Sequence, residues 1–151
     1  MVISPHISFW EATFSETAER HGISNLPNLE EISNMRKLAD MVFEPLRAAI
    51  GLPIRVNSFY RSIRLNQKIG GSPTSQHCRG QAMDISSTHS SCSNADLFRF
   101  IQNNLEFDQL IWEFGTDEAP NWVHVSYVEG KNRKQVLRSI SQAGKIIYQK
   151  F

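Results

Sequence analysis

The chain has 151 residues, 40% of them apolar, and a formal net charge of +1. This length predicts one domain, residues 1–151, with enough apolar residues to form a core, and the balanced charge argues against a protein that binds nucleic acid through phosphate contacts. Two cysteines, Cys78 and Cys92, do not make a disulfide scaffold, and no apolar run approaches the roughly 18 residues of a membrane span.

Two short helices are predicted near the N-terminus. Ser8 and Glu11 have the spacing of a capping box, which begins a helix. The segment Ser15–His21 predicts a second helix, which Gly22 would end. The apolar face of the first helix would consist of Phe9, Trp10 and Phe14.

The N-terminal sequence also bears on localisation. It lacks the basic segment followed by an apolar segment that marks a signal peptide. We therefore expect a soluble chain that is cytoplasmic as synthesised and has no membrane segment. A monomer is the expected oligomeric state.

The longest predicted helix runs from Asn28 to Ala49. Asn28 can cap it, with Glu31 three residues further on. Pro45 should kink this helix or loosen its last turn. Its buried stripe follows a spacing of three and four residues and would consist of Leu29, Ile32, Met35, Leu38, Val42, Leu46 and Ala49.

Strands dominate the rest of the chain. The predicted strands are Ile54–Phe59, Gln81–Ser86, Phe107–Phe114, Trp122–Val128, Lys134–Ile140 and Lys145–Tyr148. Two further helices are predicted, one over Ile63–Ile69 and one that Ser93 caps and that ends near Asn104. Glu129–Asn132 is predicted to be a hairpin turn, which would make the last strands an antiparallel meander. This order predicts an α+β fold, with N-terminal helices packed on a small, mostly antiparallel sheet.

The stretch Ser75–Ile85, SQHCRGQAMDI, carries the most chemistry. It places His77 and Asp84 seven residues apart, and Gly80 lets the chain turn between them. A third candidate ligand, His124, lies in the apolar run WVHVSY. Two histidines and a carboxylate can hold zinc and leave a fourth position for water. The hypothesis is that these three residues bind one zinc ion.

The spacing of these residues is weak evidence by itself. A histidine in a strand is usually a structural residue, whereas an aspartate such as Asp84 is disfavoured in a strand and needs a partner when it is buried. A nucleophile pair of Cys78 and His77 is a second possibility, but the side chains of adjacent residues point apart. Cys92 would be a buried or incidental thiol.

Taken together, the motifs resemble the zinc D-Ala-D-Ala carboxypeptidase family, which includes phage L-alanyl-D-glutamate endopeptidases and the vancomycin-resistance D,D-dipeptidases. The family pattern is Ser-x-His-x6-Asp followed by a histidine in a strand. The matching positions here are Ser75, His77, Asp84 and His124. FYRS at 59–62, Asn66 and Gly70-Gly71 are similar to the run before the family's first ligand, and FSETAERHGISNLPN resembles the phage and prophage branch. The resemblance covers nearly the whole chain and implies a fold like that of the D,D-peptidases and hedgehog proteins, with Zn²⁺ as cofactor.

The resemblance also implies roles for residues near the ligands. Arg61 would stabilise a developing oxyanion or hold a substrate carboxylate, and the alternative is a surface ion pair. Ser75 would hydrogen-bond the peptide substrate or only cap its turn. Tyr60 would line the cleft or pack in the core.

One position departs from the family pattern. Many relatives carry the general base, Asp or Glu, three residues before the last histidine ligand, where this chain has Asn121. Glu113 is the candidate replacement, because antiparallel pairing of its strand with the next would bring it near the ligands, and an apolar setting would raise its pKa. The alternative is a charge on the solvent face of the strand. Asp117 and Glu118, in the following loop, are weaker candidates.

The implied function is hydrolysis of peptidoglycan stem peptides by a zinc metallopeptidase, either a D-Ala-D-Ala carboxypeptidase or an L-Ala-D-Glu type endopeptidase. Without a signal peptide or a wall-binding domain, a phage or prophage endolysin that acts on the cell wall after release is the expected setting. The alternative, from another class, is a catalytically impaired, zinc-holding binding module of the same fold, as the signalling domain of hedgehog proteins is thought to be.

Overall fold

Most of the helices lie in the first half of the chain and most of the strand residues in the second half, in a computed structural model that describes all 151 residues. The α-helices are α1 (Phe9–Thr13), α2 (Glu16–Arg20), α3 (Leu29–Leu38), α4 (Glu44–Ile50), α5 (Ile63–Lys68) and α6 (Asn94–Asn104). The strands are β1 (Val2–Ser4), β2 (Ile7–Ser8), β3 (Ile54–Ser58), β4 (Ala82–Ser87), β5 (Gln109–Glu113), β6 (Trp122–Ser126), β7 (Gln135–Gln142) and β8 (Lys145–Lys150). The α+β prediction is confirmed. None of the helices is long and apolar enough to cross a membrane.

The predicted helix starts are confirmed. Ser8 and Glu11 form a capping box at α1, and Asn28 and Glu31 form one at α3. Ser93 caps α6 in the same way. Each box satisfies backbone N–H groups that the first helical turn leaves without partners, so these three helices begin where local sequence places them.

The long helix predicted over Asn28–Ala49 is interrupted near Pro45. Between α3 and α4 lies a π-helical turn, Ala39–Phe43, in which the Glu44 N–H bonds to the Ala39 carbonyl five residues back. Pro45 has no N–H to donate, so the wider turn is the local adjustment to it. The fully buried members of the predicted stripe are Met35, Leu38, Val42 and Leu46. The ends of the stripe are wrong, because Leu29 is 86% exposed and Ala49 is also exposed.

The predicted apolar face of α1 is wrong in part. A helix of five residues has room for little contact with the core, and Ala12 and Phe9 make that contact. Trp10 is 63% exposed, and its ring stacks on Phe14 with centroids 4.5 Å apart. The two rings border a surface groove of about 430 Å³, and no candidate site residue lines it.

The main sheet has six strands in the order β3-β4-β6-β5-β7-β8, and every neighbouring pair is antiparallel except β5 and β7. The prediction that Glu129–Asn132 is a hairpin turn is therefore wrong. β6 lies between β4 and β5, so neither of its edges is free to pair with the next strand. The chain instead passes β5 and adds β7 to its far edge in the parallel direction.

The two faces of this sheet differ in chemistry. Residues that lie opposite each other in paired strands share a face, and successive residues alternate between faces. One face is apolar and packs against helices that include α6, and its residues are Met83, Ile85, Leu110, Trp112, Val123 and Val125. The other face carries Asp84, His124, Ile111 and Glu113. The sheet therefore places two predicted ligands and the predicted base on one side.

Candidate metal centre

The first predicted ligand, His77, lies in a 3-10 turn over Gln76–Arg79 that is packed tightly against α3. Gly80 ends the turn with φ +68°, and a Cβ there would lie 2.5 Å from the Glu31 carbonyl oxygen. Only glycine suits both the left-handed conformation and this close approach. The turn thus brings His77 next to Asp84 of β4, with its side chain almost fully buried.

The other two ligands face each other across neighbouring strands. Asp84 in β4 lies opposite His124 in β6, and Asp84 Oδ1 is 2.9 Å from His124 Nδ1. The second carboxylate oxygen, Oδ2, is 3.4 Å from His77 Nε2. One potential ligand atom from each of the three residues lies within 4.8 Å of the others. The structure therefore brings the three predicted ligands together.

The unpaired atom of His77 shows that this cluster fits a metal ion. His77 Nδ1 lies 2.7 Å from the Phe59 carbonyl oxygen, which can only accept, so Nδ1 carries the proton and donates it. Nε2 then carries a lone pair and no proton. This atom is buried without a hydrogen-bond partner, and it lies toward Asp84 in the cluster. A carbonyl that fixes the tautomer of a histidine in this way is the usual support behind a metal ligand.

The electrostatics of the cluster favour the metal-binding forms of His77 and Asp84. Burial lowers the pKa of His77, which favours the neutral imidazole. Burial alone would raise the pKa of Asp84, but its interactions with the His77 and His124 rings, hydrogen bonding among them, outweigh burial and hold that pKa below its usual value. A neutral imidazole and an ionised carboxylate are the forms that bind zinc. The side chains of Asp84 and His124 are 17% and 12% exposed, so the cluster is open to solvent on one side.

Arg61 lies beside this cluster on a segment that is fixed at several points. Asn25 Nδ2 donates to the Tyr60 carbonyl at 3.1 Å, and Asn25 Oδ1 accepts the Ser62 N–H at 2.7 Å. The Arg61 N–H itself donates to the His77 carbonyl at 3.1 Å. Arg61 forms none of the chain's ion pairs, and its Nε is buried without a partner. The surface ion pair considered from sequence is therefore absent.

Ser75 and Tyr60 have the structural roles that the sequence left open as alternatives, a turn cap for Ser75 and core packing for Tyr60. Ser75 caps the 3-10 turn, and its Oγ accepts the His77 N–H at 3.3 Å. Tyr60 is 6% exposed and belongs to the hydrophobic core. Burial, with help from Glu31, raises the pKa of Tyr60 to about 12. These placements favour the capping and packing roles over contact with substrate.

Glu113 lies on the same sheet face as Asp84 and His124, opposite Trp122 of β6. It is 7% exposed, so the alternative of a solvent-facing charge does not hold. Burial raises the pKa of Glu113, against the opposing effect of a hydrogen bond from Ser139. A carboxyl with a raised pKa is suited to accept and return a proton near neutral pH.

The other residues weighed from the sequence are not part of this cluster. Asn121 is exposed, and only its backbone forms hydrogen bonds, to the Glu113 carbonyl and from Asn94. Asp117 is 2.5 Å from an Arg138 nitrogen. Burial raises the pKa of the Cys78 thiol and keeps it protonated, which argues against a cysteine nucleophile. Cys92 is 7% exposed, and both cysteines are free.

The buried carboxylate of Asp108, paired with the half-exposed Arg133, anchors the turn that carries His77. Gln76 Nε2 donates to Asp108 Oδ2 at 2.8 Å, and Arg133 donates to both oxygens of the same carboxylate at 2.9 and 2.8 Å. These hydrogen bonds with Arg133, which outweigh burial, lower the pKa of Asp108 to about 2. The network ties the ligand-bearing turn to the start of β5.

We expect Asp108→Asn to lower the free energy of unfolding at pH 7 by about 2 kcal/mol, measured by urea denaturation. Because the native pKa is depressed, the ionised form is stabilising above the unfolded pKa of about 4, and this contribution disappears as pH falls toward about 2. The difference in free energy of unfolding between wild type and the variant should therefore shrink as pH falls over that range. Glu129→Gln is the control, since Glu129 pairs with Lys37 while 66% exposed and such pairs contribute little. A difference in free energy of unfolding that stays constant with pH would show that the charge of Asp108 is not its source.

Two parts of the site could not be found from the sequence. The Phe59 carbonyl that orients His77 is a backbone group and leaves no mark on residue type. Ser139, which bonds Glu113, comes from β7, whose parallel pairing with β5 was not predicted.

A comparison with protein families agrees with this geometry. The family model described as Peptidase M15 matches residues 5–126. The matched region contains all three candidate ligands and Glu113, and it ends with β6, before β7 and β8 begin. No curated protein matches the chain.

Proposed function

The chain belongs to the peptidase M15 family of zinc-dependent metallopeptidases, and from this premise we propose that it hydrolyses the stem peptides of bacterial peptidoglycan. The observation that carries the proposal is the buried, unpartnered Nε2 of His77, which meets Asp84 and His124 in one cluster. A site with two histidines and one carboxylate is typical of catalytic zinc, since it leaves a position for substrate or water.

The chemistry divides between the metal and the chain's own groups. A zinc ion held by His77, Asp84 and His124 would supply Lewis-acid polarisation of the scissile carbonyl and of a water molecule. Glu113 accepts the proton of the attacking water, since it faces the ligands from the next strand and its pKa is raised. The same carboxyl then returns the proton to the leaving amine.

Arg61 is proposed to bind an anionic group of the substrate. Its side chain is half-buried beside His77, carries no ion pair, and has a buried Nε without a partner. A guanidinium can hold a carboxylate through two parallel hydrogen bonds. Stem peptides offer carboxylates at the D-Ala terminus and on the D-Glu residue, so this placement suits a carboxypeptidase and an L-Ala-D-Glu endopeptidase alike.

Digestion of purified peptidoglycan, with and without a chelator, tests the proposal. Mass spectrometry of the products separates the two activities, because a carboxypeptidase releases free D-Ala and an endopeptidase of the second type exposes the amine of D-Glu. We expect cleavage that stops with chelator and returns with zinc. Unchanged peptidoglycan in zinc-supplemented protein would overturn the proposal. Cleavage of intact cell walls would support the setting of a phage or prophage endolysin.

A second candidate is a zinc-holding binding module with no hydrolysis. It is favoured by one observation, Asn121 at the position where many relatives of the resembled family carry the base. An amide cannot accept a proton usefully near neutral pH. Zinc bound in full, with stem peptide bound but intact, would support this candidate and assign Glu113 a structural role.

A further inference from the structure

The C-terminal hairpin of β7 and β8 lies outside residues 5–126, which the family model matches. It nevertheless pairs with β5, the strand that carries Glu113. Because β7 pairs in parallel with β5, Ser139 lies directly opposite Glu113. Residues paired in this way share a face of the sheet, so β7 presents a hydroxyl to the proposed base from the side away from β6.

The contacts of Ser139 determine where its proton goes. Ser139 is 0% exposed, and its Oγ accepts the Phe114 N–H at 3.2 Å. Its own O–H donates to Glu113 Oε2, with the two oxygens 2.5 Å apart. The hydroxyl therefore accepts on one side and donates on the other, and it has no freedom to turn toward solvent.

This hydrogen bond makes the two carboxylate oxygens of Glu113 different. Oε2 is taken by Ser139, whereas Oε1 accepts no hydrogen bond from the protein and is not among the enclosed, unpartnered atoms. Oε1 is thus the oxygen that keeps access to solvent, in a side chain that lies on the same sheet face as Asp84 and His124. A general base needs one free oxygen within hydrogen-bond reach of the proton that it takes.

The backbone after Glu113 is held by the same serine. Phe114 has φ +54°, a left-handed conformation that non-glycine residues rarely adopt. Its N–H donates to both the carbonyl oxygen and the Oγ of Ser139, at 3.1 and 3.2 Å. Strained backbone of this kind persists where surrounding contacts define it, and it is concentrated at functional sites.

We propose that Ser139 is a positioning residue that locks the Glu113 carboxylate so that Oε1 faces the proton of the attacking water. The C-terminal hairpin is then a working part of the active site and not only an edge of the sheet. The inference rests on the proposed function, because it assigns Ser139 a role through the proposed base.

The test compares Ser139→Ala with wild type in zinc-loaded protein, using stem-peptide hydrolysis, zinc affinity from chelator competition, and thermal unfolding. Loss of a hydrogen bond to a carboxylate should lower kcat by about tenfold or more. We expect KM and zinc affinity to stay near wild type, since Ser139 contacts neither substrate nor ligands. Ser141→Ala is the matched control, because Ser141 lies on the same strand and is exposed, and its kcat should not change.

Ser139→Thr separates positioning from packing. It keeps the hydroxyl and adds a methyl group at a buried position, so a packing role would make it worse than alanine, and a positioning role would return kcat toward wild type. A kcat of Ser139→Ala equal to wild type, a threonine variant no better than alanine, or a loss explained by lost zinc or unfolding would overturn the inference. Wild-type protein that binds zinc without hydrolysis would instead defeat the proposed function, and the role of Ser139 with it.

Discussion

Glu113→Gln is expected to reduce kcat for stem-peptide hydrolysis by roughly 10²- to 10⁴-fold, the usual contribution of a general base. Glutamine keeps the shape of the side chain and can still accept the hydrogen bond from Ser139, but it cannot take a proton. Zinc content and the unfolding midpoint should stay near wild type, because the substitution removes a charge that burial disfavours. Single-turnover kinetics on a defined stem peptide would measure the effect on chemistry directly.

The control for this prediction is Asn121→Ala. Asn121 occupies the position of the base in many relatives of the resembled family, but here its side chain is exposed and forms no hydrogen bond. We expect hydrolysis to survive this change. Hydrolysis that is lost with Asn121→Ala and retained with Glu113→Gln would reverse the assignment of the base.

His124→Ala is expected to abolish hydrolysis through loss of the metal. His124 Nδ1 is 2.9 Å from Asp84 Oδ1, and its side chain is more exposed than that of His77, 12% against 2%, so its removal opens one ligand position at the solvent-facing side of the cluster. Changes to residues that only support a metal ligand cost about 10- to 100-fold in metal affinity, and removal of a ligand should cost more than about 100-fold. Competition with a chromophoric chelator would measure the zinc affinity.

His89→Ala is the matched control for the ligand variant. His89 is exposed and bonds only to Ser91, two residues away. Its replacement should leave both zinc affinity and hydrolysis unchanged. Equal zinc affinities in wild type, His124→Ala and His89→Ala would remove His124 from the ligand set.

The helix starts and most strands were predictable because their causes are local. Ser8, Asn28 and Ser93 each bond to backbone groups within three residues, so a reading of neighbouring residues is enough. The face of Glu113 was also predictable, since it follows from the alternation along β5 and its antiparallel partner β6. The spacing of the three candidate ligands was weak evidence by itself, and they were found because the motifs around Ser75, His77, Asp84 and His124 resemble those of a zinc peptidase family.

The remaining features depend on contacts between distant segments. The parallel placement of β7 follows from β6 having both edges occupied, which no window of sequence reveals, and Ser139 was missed for that reason. The exposure of Trp10 depends on how little of α1 reaches the core. Tyr60 could not be assigned from sequence because an aromatic residue next to a site fits both the cleft and the core, and the packing around it decides.

The zinc content of the purified chain is the most direct test of the proposed zinc site. It is measured by elemental analysis, after supplementation with zinc and removal of loosely bound metal. We expect one zinc per chain, because His77, Asp84 and His124 form a single cluster with the buried lone pair of His77 directed into it. We also expect His124→Ala, prepared in the same way, to retain none. Wild-type protein that stays folded and holds no zinc would show that these three residues do not form a zinc site.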